Sequence, residues 1–167
     1  VLKDYCERYH SEAKNDLATV FLDRCLQFCP KGGTTTVVLP QNWLFLTSYT
    51  SFRKTLLQDE TWHLISRLGP GAFDTISGEV VKAILILISR ERSESEQIIS
   101  GVDVSEQKAV EGKALGLVER EIKRVGQEEQ LKNPDARVAF DESDKFVLLN
   151  EYGNSWQGIA SSDFPRF

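Results

Sequence analysis

The chain has 167 residues, 41% hydrophobic and 27% charged, with a formal charge of −5. That suffices for one domain with its own core, and it excludes the basic footprint of a module that binds nucleic acid unaided. The charge is uneven: residues 1–90 hold ten Lys/Arg and nine Asp/Glu, residues 91–167 ten and sixteen.

Residues 1–14 are polar with scattered aromatics, a loop or a short helix. Asn15 or Asp16 can cap a following helix, because a side-chain oxygen there accepts an orphan backbone N–H. Leu17, Val20, Phe21 and Phe28 mark its apolar face, widened by Ala18, Leu22, Cys25 and Leu26. Pro30, Gly32 and Gly33 stop it. Thr34–Leu39 is short and β-branched, the mark of a buried strand, and Pro40 ends its ladder for want of an N–H. Thr47 or Ser48 opens a helix to about Leu57, with Tyr49, Phe52 and Leu56 inward. Thr61–Leu68 reads as a strand. Gly69, Pro70 and Gly71 make a sharp turn and Gly78 permits another. Val80–Ile88 is almost continuously apolar, as suits a strand covered on both faces.

From Ser89 the composition turns to Glu, Gln, Ser and Lys. Glu106–Leu131 carries a loose helical pattern through Val110, Leu115, Val118, Ile122 and Val125, weakened by Gly112, Gly116 and Gly126. The reading is three parts: residues 1–90, an acidic helical linker or insertion over 91–133, and a return to packed character over 134–167. Cys6, Cys25 and Cys29 form an odd set without CxxC, read as buried or free thiols of a reducing cytosol. Neither His10 nor His63 stands at ligand spacing from them, so no metal site is expected. Ala83–Ile88 with its flanks is too short to span a bilayer. A cytoplasmic protein with no membrane partner is expected.

The order of residues in NDLATVFLDRCLQFCPKGGTTTVVLPQNWL resembles the stretch that follows the catalytic loop in gamma-class N6-adenine DNA methyltransferases. The points of likeness are Asp16-Leu17, the turn Pro30 to Gly33, and Leu39-Pro40-Gln41-Asn42. LGPGAFDTISGEVV is similar to the methyltransferases of BREX-type phage-resistance systems and large restriction–modification enzymes, and GNSWQGIASSDFPRF to the entry of their target-recognition region. The resemblance covers residues 12–90 and 133–167. It implies an α/β fold: part of a Rossmann-like sheet of an S-adenosylmethionine-dependent methyltransferase, with the acidic helical insertion. The sheet's last two strands, Trp62–Leu68 and Val80–Ile88, would form a reversed hairpin, one antiparallel to its neighbours. The catalytic Asn-Pro-Pro-Tyr tetrapeptide does not occur in the sequence; Asn133-Pro134-Asp135 lacks its second proline and aromatic. Nor does a Gly-rich strand-to-helix turn of the kind that cradles S-adenosylmethionine. With Val1 at one end and DFPRF at the other, a piece of a longer polypeptide is expected, inactive alone.

The chemistry implied is methyl transfer from S-adenosylmethionine to the amino nitrogen of an adenine swung out of double-stranded DNA. The resemblance assigns base stacking to Phe73, in a turn flanked by Gly71, Ala72 and Asp74. Packing at the sheet's end is the plainer role for such a phenylalanine. Gln41, Asn42 and Trp43 lie just past a strand's C-terminal end, where α/β sheets build their sites. They are assigned to the base or DNA cleft with Asp74, Gly78 and Lys82, against strand-end capping for Asn42 and core packing for Trp43. Ser77 and Glu79 are weaker candidates. Arg53 and Lys54 read as a solvated helix face, with phosphate contact as the alternative. Trp156, Phe164 and Arg166 read as packing near the recognition region. The expected partners are double-stranded DNA and the rest of the methyltransferase polypeptide. The competing reading is a non-catalytic methyltransferase-like module, an interaction or DNA-clamp part of a defence complex. An unrelated α/β hydrolase or transferase fragment lacks support, since there is no Gly-x-Ser-x-Gly elbow or nucleophile–base pattern.

Overall fold

The computed structural model describes residues 1–72, 81–140 and 152–153. Five helices are described: α1 Leu2–Tyr9, α2 Leu17–Phe28, α3 Thr50–Asp59, α4 Val110–Glu119 and α5 Gln127–Gln130. Five strands are described with them: β1 Thr34–Pro40, β2 Thr61–Gly69, β3 Ala83–Ser89, β4 Ile98–Asp103 and β5 Lys123–Gly126. They make one mixed sheet in the order β1-β3-β2-β4-β5.

The expected reversed hairpin is present. β3 pairs antiparallel with β2, Trp62 opposite Ile88, and antiparallel with β1, Thr34 opposite Ser89. β1 and β2 therefore run the same way with β3 inserted against them. Ile84, Ile86 and Ile88 of β3 are buried on one face and Leu85 and Leu87 half-buried on the other, in a strand paired on both edges, which explains the unbroken apolar run. Val81 and Lys82 precede β3 and are exposed.

α2 begins where its cap requires. Asp16 accepts from the Ala18 N–H at 2.8 Å, and the Thr19 hydroxyl donates to the carbonyls of Ala13 and Asp16. The side that packs differs from the expected one. Thr19, Leu22 and Leu26 are buried, whereas Leu17, Phe21 and Phe28 are 58, 71 and 72% exposed. The helix carries apolar residues on both sides, so periodicity alone cannot choose between them. Anchors outside the helix choose: the buried His10 imidazole meets the Asp23 carboxylate at 2.5 Å, and Thr19 holds the entry. The outer stripe keeps partial cover, with the Arg24 guanidinium 4.4 Å over the Phe28 ring.

α3 buries Tyr49 just ahead of it, then Phe52 and Leu56, as expected. Arg53 corrects the reading of a solvated face, for it is fully buried.

The acidic stretch 91–133 does hold helices, α4 and α5, but it also supplies two strands that sequence reading missed. β4 pairs parallel with β2, Leu64 opposite Ser100, and β5 pairs antiparallel with β4. Ile99, Val102 and Val104 bury the extension. β5, Lys-Arg-Val-Gly, sits at the sheet margin, where one-sided cover tolerates charge.

The core is continuous through α2, the turn after β1, α3 and the sheet. Trp43 lies 5.7 Å from Phe52 and 5.6 Å from Trp62, ring centre to ring centre.

Candidate functional site

β1, β2 and β4 run parallel to one another, so their C-terminal ends share one edge of the sheet. Gln41 follows β1 there, Arg67 and Gly69 close β2, and Asp103 closes β4. The backbone of Lys82 arrives at the same edge because β3 starts where its neighbours finish. The Gln41 N–H donates to the Lys82 carbonyl at 2.9 Å.

Gln41 is 5% exposed, and its Oε1 has no hydrogen-bond partner among the described residues. A buried carbonyl oxygen left unpaired is costly, by about 1–3 kcal/mol. Asn42 beside it is exposed. Trp43 is 1% exposed and packs in the core. Its indole Nε1 has no hydrogen-bond partner among the described residues, while the Asn42 carbonyl accepts from the N–H groups of Phe45 and Leu46.

A strap formed by residues 134–140 crosses the sheet face beside Gln41. The buried Arg53 holds it: Nε donates to the Ala136 carbonyl and Nη2 to that of Asp135. Nη1 of the same guanidinium donates to the carbonyls of Trp43 and Leu46. One planar cation thus ties the turn after β1 to the strap. Burial lowers the Arg53 pKa, with Asp135 acting against the shift and Arg137 with it. Downstream, the Val138 N–H donates to the Leu44 carbonyl, and the Ala139 N–H to Gln130 Oε1.

The strap, the turn and β2 enclose a pocket of about 90 Å³ lined by Gln41, Leu44, Phe45, Arg67, Val138, Ala139 and Phe140. Arg67 is fixed from the other side by Asp103 at 3.1 Å. Asp103 also accepts from the Ser105 N–H and hydroxyl at 2.9 and 2.6 Å. Burial opposes its charge, but the Ser105 bonds with Arg67 and Arg120 outweigh burial, and its pKa falls below the ordinary value. Lys113 of α4 donates to the Leu68 carbonyl at 2.6 Å, its pKa lowered by burial against the pull of Asp103. At the end of β2, Gly69 takes a φ of +71°, and a Cβ there would meet Ser105 at 2.6 Å.

Of the residues singled out in the sequence, the structure brings Gln41, Asn42 and the Lys82 backbone together. Phe73, Asp74, Ser77, Gly78, Glu79, Trp156, Phe164 and Arg166 lie outside the described residues. Arg67, Asp103 and Lys113 escaped sequence reading, and Arg53 was read as part of a solvated helix face. Arg67 is one charge in an alternating strand, and Asp103 and Lys113 lie in the stretch taken for an insertion. Among the described residues no group of three or more His, Cys, Asp or Glu side chains is placed to hold a metal ion, and no helix is long and apolar enough to cross a membrane.

Residues 2–73 match the family model of the Eco57I restriction-modification methylase. The chain is 33% identical over 92 residues to the adenine-specific methyltransferase BrxX of Escherichia coli O9:H4 (strain HS), a match covering 55% of the chain and 8% of the relative. It is 25% identical over 164 residues to the adenine-specific methyltransferase PglX of Lacticaseibacillus casei (strain Zhang), covering 92% of the chain and 13% of the relative. The chain thus spans about a tenth of the length of these relatives. A modification subunit of a putative type I restriction enzyme from Vibrio vulnificus YJ016 shares the fold. Its TM-score is 0.58 at 16% identity, over 78% of this chain and 32% of that one. The type I restriction-modification methyltransferase subunit from Streptococcus thermophilus gives 0.52 at 17% identity, over 76% and 30%.

Proposed function

We infer that this chain is part of the catalytic region of an adenine-specific DNA methyltransferase. The observation that carries the reading is the antiparallel insertion of β3 between β1 and β2, in a chain whose residues 2–73 match a restriction-modification methylase model. The edge where three parallel strands end is where α/β sheets place their ligands.

The reaction proposed for the whole polypeptide is transfer of a methyl group from S-adenosylmethionine to the exocyclic nitrogen of a flipped adenine in double-stranded DNA. The described residues do not fit that cofactor. Gly32 and Gly33 lead from α2 into β1, the reverse of a phosphate- or nucleoside-cradling turn, and a Cβ at Gly33 would meet Pro30 at 2.8 Å. Cofactor binding is therefore assigned to other parts of the polypeptide. What the chain contributes is the wall that receives the base. Phe73 stacks on it, worth about 1–3 kcal/mol. Gln41 offers a buried acceptor, and Asn42, Lys82, Asp74 and Gly78 border the DNA cleft.

Mass-spectrometric detection of N6-methyladenine in duplex DNA tests the reading. A longer polypeptide carrying this chain should form it with S-adenosylmethionine, and Phe73→Ala should lower the rate. The 167-residue chain alone should form none. Absence of N6-methyladenine with the longer polypeptide, across a random-sequence duplex library, would refute the proposal.

A further inference from the structure

Helix α4 is built inside out. The side it turns to the sheet is polar. Lys113, 4% exposed, donates to the Leu68 carbonyl at 2.6 Å, and Arg120, just past the helix, donates to the Asp103 carbonyl at 2.9 Å. Between them Gly116 lets the helix approach Val104 so closely that a Cβ there would meet its side chain at 2.9 Å. The spacing 113, 116, 120 is one helical face. The opposite face runs Glu111, Leu115, Val118 and is continued by Ile122. Leu115 is 57% exposed, Val118 84% and Ile122 49%. These three residues are the middle of the helical pattern legible in the sequence, and the structure turns them outward. A surface helix ordinarily has the reverse arrangement, apolar side in and charged side out.

An apolar stripe held outward by polar bonds on its far side marks a contact surface. Its chemistry and its size narrow the partner. Glu111 stands in line with the stripe and the exposed Glu119 flanks it, so the partner brings cations to its rim, and DNA, with its phosphates, is disfavoured. Three apolar side chains fall far short of the roughly 800 Å² per partner of a stable interface between free molecules, so a second copy does not dimerise on this stripe. A segment of the same polypeptide needs no such area, because the tether supplies its effective concentration. There is chain enough for it: the relative aligned with 92% of this chain is far longer, and the match spans 13% of it. We propose that the outer face of α4 seats another part of the longer polypeptide, an apolar segment rimmed by Lys or Arg. The proposal rests on the reading of this chain as part of a larger methyltransferase.

Amide hydrogen exchange over α4 tests it, in the 167-residue chain and in a longer polypeptide that carries it. Exchange should be slower in the longer polypeptide. There the double change Leu115→Gln with Val118→Gln should speed it by about tenfold or more, the effect of uncovering two apolar side chains. In the 167-residue chain the same change should leave exchange over α4 and the thermal midpoint as they were, since nothing is uncovered. Glu111→Lys should speed exchange in the longer polypeptide alone; no effect there would strike out the cationic rim. If the double variant of the longer polypeptide does not fold, the comparison of the two unaltered proteins still decides. Equal exchange over α4 in the two would overturn the proposal. So would a dimer of the 167-residue chain in sedimentation that the double change dissolves, because the occupant would then be a second copy. N6-methyladenine formation is read separately, so an uncovered α4 in an active methyltransferase sinks this proposal alone, and a covered α4 in a polypeptide that methylates nothing sinks only the other.

Discussion

The Arg53 Nε donates to the Ala136 carbonyl at 3.1 Å across 83 residues of sequence. The same guanidinium serves the carbonyls of Asp135, Trp43 and Leu46, and it is wholly shielded from water. It also holds Asp135 and Ala136 in left-handed backbone, at φ of 56° and 52°, a conformation that costs side-chain-bearing residues free energy. Arg53→Ala should destabilise the chain by about 3 kcal/mol or more, because several buried carbonyls lose their donor together. Arg53→Lys should recover only part, since an ammonium cannot reproduce the planar fork. Urea unfolding measures both; a lysine variant as stable as the parent would refute this account of the strap.

Gly101 lies under the Phe140 ring, and a Cβ at that position would sit 2.3 Å from the ring's edge. Gly101→Ala should push the strap off the sheet, at about 1–3 kcal/mol. Adding Phe140→Ala should cost less in that background than in the parent chain, the non-additivity of residues in contact. Strictly additive midpoints would show that the ring does not rest on β4.

Gln127 completes the ladder where β2 outruns β4. Its Oε1 accepts from the Trp62 N–H at 2.9 Å, and its Nε2 donates to the carbonyls of Leu57 and Glu60. Gln127→Leu fills much of the same space but leaves three buried backbone groups unpaired. The expected loss is about 2–4 kcal/mol, with faster amide hydrogen exchange at Trp62. Unaltered protection there would remove Gln127 from this role.

Two carboxyls tilt the pH dependence in opposite directions. Asp103 is held low in the folded state, so its contribution is present above the unfolded carboxyl's pKa and is lost as pH falls through the folded value. Glu60 is raised, chiefly by burial, so the folded state holds its proton more tightly. Its contribution is fully present below the unfolded pKa and disappears as pH rises through the folded one. Asp103→Asn should flatten the acid limb of the stability profile, and Glu60→Gln the decline just above the ordinary carboxyl range. Profiles parallel to the parent's in both variants would contradict these assignments.

Much of the sheet was legible because its signals are local. A β-branched run ended by Pro40 gives β1, and an unbroken apolar run gives a central strand. The antiparallel placement of β3 came from the family resemblance, not from periodicity. β4 and β5 were not legible. Ile98, Ile99, Val102 and Val104 are few, and the glutamates around them mask a two-residue period. The inward face of α2 was misread because both faces are apolar and the deciding contacts, His10 with Asp23 and Thr19 with Ala13, come from outside the helix. Gln41 was legible as a strand-end residue, but nothing local marks it as buried and unpaired. Arg53 was misread as solvated because arginine on a helix is ordinarily exposed, and its acceptors lie in the turn after β1 and in a strap more than eighty residues downstream.

The insertion of β3 also dictates an order of assembly. β1 finds no neighbour in β2, since the strand that separates them is made last of the three; Thr34 must wait for Ser89. As the nascent chain leaves the ribosome, β1 and β2 emerge side by side with their shared partner still inside the tunnel. Ser89 lies 55 residues beyond Thr34, so β1 keeps an open edge until the chain through Ser89 has been made. Codons that slow translation just after Ser89 would give that three-strand unit time to close before the acidic extension appears.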